Sequence, residues 1–140
     1  MRMRVLTQTN KGKLLAIADE VSTLIEADKK ADVIMPAYPC DGERLIVIVA
    51  TAKPNMPESF CRFMRSIKRT VSANVAFIID GTEENAAKIV EMAKTNNSNV
   101  MEDKILYING GLPFKFLRSV KPEEMETVKA WVEDIRANMK

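Results

Sequence analysis

Residues 2–21 read Arg2-Met-Arg-Val-Leu-Thr-Gln-Thr-Asn-Lys-Gly-Lys-Leu-Leu-Ala-Ile-Ala-Asp-Glu-Val21. A short strand runs into a tight polar turn holding Thr7, Thr9, Asn10 and Gly12, and an amphipathic helix comes next. Such a turn lies at the positive end of the helix dipole, where free backbone N–H groups bind anions, phosphate above all. A plain strand-to-helix connection uses the same residue types. The elements beyond Val21 therefore decide how the turn is read.

Outward from this unit, strands are expected at Arg2–Leu6, Asp32–Met35, Leu45–Thr51, Val75–Asp80 and Lys104–Ile108. Leu45-Ile-Val-Ile-Val49, Val75-Ala-Phe-Ile-Ile79 and Ile105-Leu-Tyr-Ile108 are near-continuous apolar runs, as in parallel sheets covered on both faces. Four stripes at helical spacing separate them: Leu14, Ile17, Ala18, Val21, Leu24 and Ile25; Phe60, Phe63, Met64, Ile67 and Val71; Ala86, Ile89, Val90 and Ala93; and Met125, Val128, Trp131, Val132 and Ile135. Pro57 and Pro122 fit first helical positions and Thr82 fits an N-cap, while 95–99 ends the third helix. Only the second and third strands lack a helix between them. Their link, 36–44, can span nearly 30 Å at about 3.3 Å per residue, enough to recross a short strand. The pattern predicts a doubly wound sheet in the order 2-1-3-4-5, with ligands at the carboxyl ends of the strands beside the switch between strands 1 and 3. Segments 7–13, 51–57, 80–84 and 109–113 should meet there.

Composition narrows the chemistry. The chain has 140 residues, 46% of them hydrophobic, which suits one domain over 1–140 with a real core. It has no histidine, so a Ser-His-Asp triad, His-ligated zinc and a phosphohistidine relay are excluded. Cys40 and Cys61 form no metal-like spacing and read as free thiols. No membrane span or signal peptide is visible, so the cytoplasm is the expected location. A net charge of +2, with acids interleaved among the bases, argues against nucleic acid. Arg62, Arg65, Lys68 and Arg69 cluster on one helix as a solvated face or a patch for an acidic partner.

At this point the chain resembles the flavodoxin family over nearly its whole length. That family opens with a strand, a Ser/Thr-x-Thr-Gly-x-Thr phosphate loop and a helix; here Thr9, Asn10, Lys11, Gly12, Lys13 and Leu14 align with the loop, with Ile17-Ala18 after them. Thr9 and Gly12 match, whereas Lys11 and Leu14 stand in place of two threonines. Leu45 to Thr51 looks like the third strand, and Asn55-Met-Pro57 like the end of the flavin-side loop. No Tyr or Trp lies between Thr51 and Glu58 to stack on a flavin ring, and Asp80-Gly-Thr-Glu-Glu84 runs straight into a helix. Asn109-Gly-Gly-Leu-Pro-Phe114 looks like the Gly-Gly stretch of shorter flavodoxin-domain proteins.

The resemblance implies a flavodoxin-like three-layer α/β sandwich that binds FMN and passes electrons to a redox partner protein. If the chain is an enzyme, the resemblance implies an FMN-dependent oxidoreductase. The cofactor residues it implies are Thr7, Thr9, Asn10, Lys11, Gly12, Lys13 and Leu14 at the phosphate, and Thr51, Ala52, Lys53, Asn55, Met56, Gly81 and Thr82 toward the ring. No residue is assigned as catalytic or as a metal ligand. Two lost hydroxyl donors weaken the phosphate site, which Lys11 offsets in part. The missing stacked aromatic costs about 1–1.5 kcal/mol beyond area burial, and Met56 offers a soft substitute. The alternative is a flavodoxin-like scaffold that has lost FMN and binds another phosphate-bearing molecule or a protein. A pI near 8.5 favours it, since carrier flavodoxins are usually acidic.

Phosphoryl-accepting domains of the same strand order need acids after strands 1 and 3, where this chain has Thr7-Gln8 and Ala50-Thr51. Cys40 reads as an idle thiol, Asp80 as a turn residue ahead of Gly81, and Trp131 and Tyr107 as core. Residues 112–118 mix apolar and basic side chains and suit either an edge cover or a partner contact.

Overall fold

The computed structural model describes residues 3–8, 12–27, 31–34, 42–94, 98–108 and 122–139. The elements run β1 (Met3–Thr7), α1 (Gly12–Leu24), β2 (Asp32–Val33), β3 (Glu43–Thr51), α2 (Glu58–Ser66), β4 (Ser72–Asp80), α3 (Glu83–Lys94), β5 (Asn99–Val100), β6 (Leu106–Ile108) and α4 (Pro122–Ala137), with a 3-10 turn at Glu102–Lys104 before β6. The strands pair in the order β2-β1-β3-β4-β5, and β6 also pairs with β4. Every pairing is parallel, including Leu45 opposite Asn74 and Thr51 opposite Asp80 between β3 and β4.

The apolar runs are continuous because both faces of the sheet are buried. Ile46, Ile48, Ala50, Val75, Phe77 and Ile79 face Phe60, Phe63, Met64 and Ile67 of the α2 region and Ala86, Ile89, Val90 and Ala93 of α3. Their neighbours Leu45, Val47, Val49, Ala76 and Ile78 face Leu14, Ile17, Ala18 and Val21 of α1 and Val128, Trp131, Val132 and Ile135 of α4. Residues i and i+1 of one strand thus serve opposite cores, as period-2 geometry requires. The result is the expected three-layer sandwich.

Three expectations need correction. The second stripe does not continue as helix to Val71; α2 stops at Ser66, with Ile67 extended at φ −76°, ψ 91°. Ile67 still reaches the core, but the β-branched Thr70 and Val71 lie in the turn that feeds β4. The central strands also begin earlier than Leu45 and Val75, because Glu43, Ser72 and Asn74 are polar yet buried. Asn74 Nδ2 donates to the Arg44 carbonyl at 2.9 Å, and Ser72 Oγ donates to the Asn74 carbonyl at 2.6 Å.

The third correction concerns the last strand, expected over Lys104–Ile108. It shortens to β6, aligned with Ile78 to Asp80, and a separate short strand, β5, precedes it, aligned with Asn74 and Val75. Asn99 Nδ2 donates to Asn74 Oδ1 at 2.8 Å and fixes β5. Trp131 Nε1–H donates to the Lys104 carbonyl at 2.6 Å, and Lys104 Nζ meets Asp134 at 3.0 Å. These bonds draw the turn toward α4 and out of the strand ladder. Most of the 36–44 link lies outside the described residues. Among the described residues, no helix is long and apolar enough to cross a membrane.

Candidate functional site

The carboxyl ends of β1, β3 and β4 lie side by side, so the segments after them share one edge of the sheet. Hydrogen bonds tie these segments in sequence. Gln8 N–H donates to the Val49 carbonyl at 2.9 Å, and Thr51 N–H donates to Gln8 Oε1 at 3.0 Å. Ala52 N–H donates to the Asp80 carbonyl at 2.8 Å, and a Cβ on Gly81 would stand 2.8 Å from the Ala52 carbonyl oxygen. Gly81 has φ +147°, so both backbone conformation and close approach call for glycine.

Each expected site residue that the structure describes has a definite place in this frame. Thr7 is 0% and Leu14 5% exposed, and the Thr7 carbonyl accepts from Ile34 N–H at 3.0 Å. Gly12 is the first residue of α1 and Lys13 the second. Thr9, Asn10 and Lys11 lie outside the described residues. Thr51 ends β3 half-buried, Ala52 is 5% exposed, and Lys53 and Asn55 are exposed. Met56 is half-buried; its Sδ accepts from Lys53 N–H at 3.4 Å, and its carbonyl accepts from Cys61 Sγ at 3.8 Å. Gly81 and Thr82 are exposed. Thr82 caps α3: its Oγ1 accepts from Asn85 N–H at 3.2 Å, as expected of an N-cap.

Charge at the helix starts separates α1 from its neighbours. The first turn of α2 carries Glu58, and that of α3 carries Glu83 and Glu84, so carboxylates already complement both dipoles. The first turn of α1 holds no acid. Its N-terminus comes directly after β1 in the chain order. In the loop after β3, Thr51, Ala52 and Lys53 N–H are bonded to Gln8, Asp80 and Met56. Lys53, Asn55 and Thr82 are exposed there, and Met56 is half-buried.

Gln8 falls in the 7–13 segment expected at this edge, but its bond to Thr51, 43 positions away, is visible only in the structure. Tyr107, expected in the core, is 40% exposed on β6. It stands between two open hollows of about 190 and 230 Å³, the first bordered by Glu83, Glu91 and Glu102 and the second by Ile17, Glu124 and Val128. Partial burial first, and the negative charge of Glu83 second, hold its hydroxyl above the usual phenol pKa. Cys61 is a free, half-buried thiol, while Cys40, Asn109–Pro113 and the 112–118 segment lie outside the described residues.

No family model and no curated protein sequence matches the chain. Solved structures do. Oxidised flavodoxin 1 from Bacillus cereus superposes with a TM-score of 0.69 at 15% identity, covering 100% of both chains. Oxidised flavodoxin 2 from the same organism gives 0.65 at 14% identity, covering 99% of this chain and 100% of that one. A short-chain flavodoxin associated with a non-canonical PDU bacterial microcompartment gives 0.62 at 12% identity, covering 100% of both chains. The chain has the flavodoxin-like fold.

Proposed function

We propose that this chain is an FMN-binding, flavodoxin-like electron carrier that holds the cofactor chiefly by its phosphate. The observation that carries the reading is the acid-free start of α1, placed after β1 at the switch point of a 2-1-3-4-5 sheet. In this reading Thr9, Asn10, Lys11, Gly12, Lys13 and the backbone of Thr7 and Leu14 surround the phosphate. Thr51, Ala52, Lys53, Asn55, Met56, Gly81 and Thr82 form the ring-side contacts. Bound FMN supplies the redox chemistry; the protein supplies orientation, dielectric and hydrogen bonds. No side chain needs to donate or accept a proton for this role. A redox partner protein would meet the cofactor at the open edge beside 51–57.

A second reading has its own support. Thr51, Ala52 and Lys53 N–H are bonded to Gln8, Asp80 and Met56, so these three amides of the ring-side loop are met within the protein. A scaffold that binds another phosphate-bearing molecule or a protein is consistent with that. The two readings part on replacement of Gly12 by valine. If FMN sits on the start of α1, Gly12→Val weakens it about tenfold, or ~1.4 kcal/mol. Titration read by quenching of flavin fluorescence measures this, and unchanged affinity favours the scaffold.

A further inference from the structure

We propose that the basic face along α2 and the turn after it is a docking surface for an acidic protein. The inference goes beyond the flavin reading and does not depend on it. Residues 58–69 hold four bases, Arg62, Arg65, Lys68 and Arg69, against one acid, Glu58. The whole chain has 21 bases and 19 acids, so outside this segment acids outnumber bases by one. The net positive charge of the molecule therefore lies in this one segment. Helices α1, α3 and α4 each carry more acids than bases.

All four bases are exposed, while Phe60, Phe63, Met64 and Ile67 turn into the core. Stability does not account for the run. Arg62 and Arg65 stand three residues apart on the helix, a like-charge spacing that destabilises. The Glu58 carboxylate is 3.9 Å from Arg62, beyond hydrogen-bond distance, and such an exposed pair offsets little. The helix dipole favours Arg65 in the last turn of α2 but not Arg62, a turn earlier. Beyond the helix, Val71 and Ser72 N–H donate to the Lys68 carbonyl at 2.8 and 2.9 Å, so the turn that carries Lys68 and Arg69 has a fixed backbone.

The surroundings select the class of partner. Arginine forks match carboxylates and phosphates alike, so the guanidinium groups alone do not decide. Helix α3, which packs beside α2 on the same side of the sheet, exposes Glu83, Glu84 and Glu91. A nucleic-acid backbone is anionic along its whole length, so one longer than the basic face meets those acids. A membrane surface is anionic over a wider area still, and with Phe60, Phe63, Met64 and Ile67 buried the segment has no large apolar side chain to insert. A protein with a compact acidic patch meets the bases alone, and such charge pairing speeds encounter and sets orientation.

The test titrates the 15N-labelled full chain with three probes at matched negative charge: a short peptide with clustered glutamates, a DNA duplex, and phosphatidylglycerol vesicles. The peptide should shift the amide resonances of 58–69, bind more tightly than the other two, and weaken as salt is added. Arg62→Glu with Arg65→Glu should weaken the peptide at least about tenfold. Lys129→Glu with Arg136→Glu changes the net charge equally at exposed positions of α4 and should weaken it less than about twofold. Equal weakening in the two double variants would assign the binding to net charge and overturn the proposal. So would shifts centred outside 58–69, no shift at all, or tighter binding of the duplex or the vesicles. Flavin titration tests the carrier reading separately, and neither result decides the other.

Discussion

At the scale of single residues, the least legible features are those whose environment is set from far along the chain. Thr82 was readable as a cap because its partner, Asn85, is local. Gln8 and Tyr107 were not, because Thr51 on β3 and Glu83 on α3 reach them only through the tertiary fold. Tyr107 makes a prediction of its own. Its folded-state pKa is raised, so its contribution to stability is fully present below the unfolded phenol value of about 10. That contribution is lost as pH rises through the higher folded value, where the unfolded chain has already released its proton. Denaturant unfolding measured from about pH 9 to 11 should therefore show a decline that Tyr107→Phe makes shallower. Glu83→Gln should move the Tyr107 titration back toward the usual value, read by phenolate absorbance. An identical decline in wild type and Tyr107→Phe would remove the assignment.

At the scale of elements, the stripes of α1, α3 and α4 and the apolar hearts of β3 and β4 were legible, since burial on both faces writes itself as uninterrupted hydrophobicity. Their polar ends were not. Asn74 gains its partners, Arg44 and Asn99, only across the sheet, and Glu43 and Ser72 are buried beside it at the starts of β3 and β4. The shortened last strand was illegible for the same reason, because Trp131 takes the Lys104 carbonyl from 27 positions away. Trp131→Phe should lower stability by about 1–3 kcal/mol, combining a lost buried hydrogen bond with lost ring volume. Hydrogen exchange should then quicken at 102–108 while the centres of β3 and β4 stay protected. Uniform change across the sheet, or none, would show that this bond does not set the shortening. Along α2 and just beyond its end, Arg62, Arg65, Lys68 and Arg69 are exposed as expected of a solvated face, and Arg62 stands 3.9 Å from Glu58. An exposed pair at that distance adds little to stability.

At the scale of the whole molecule, strand order was the most legible property, since one helix-free link and otherwise alternating elements leave few right-handed arrangements. Sheet order carried the site to the ends of β1, β3 and β4. It could not decide what binds there, because a shared fold hosts many ligands. The decision falls on local donors, and these are unequal: the first turn of α1 holds no acid, while Thr51, Ala52 and Lys53 N–H are already bonded within the protein. Affinity should accordingly lie mainly in the phosphate. The direct measurement is titration of the full chain with FMN and with riboflavin, read by flavin fluorescence, with inorganic phosphate as competitor. The predicted result is measurable FMN binding, weakened by inorganic phosphate, with riboflavin at least about tenfold poorer, a difference of ~1.4 kcal/mol. Equal affinity for the two flavins, or binding of neither, would contradict a phosphate-anchored flavin carrier.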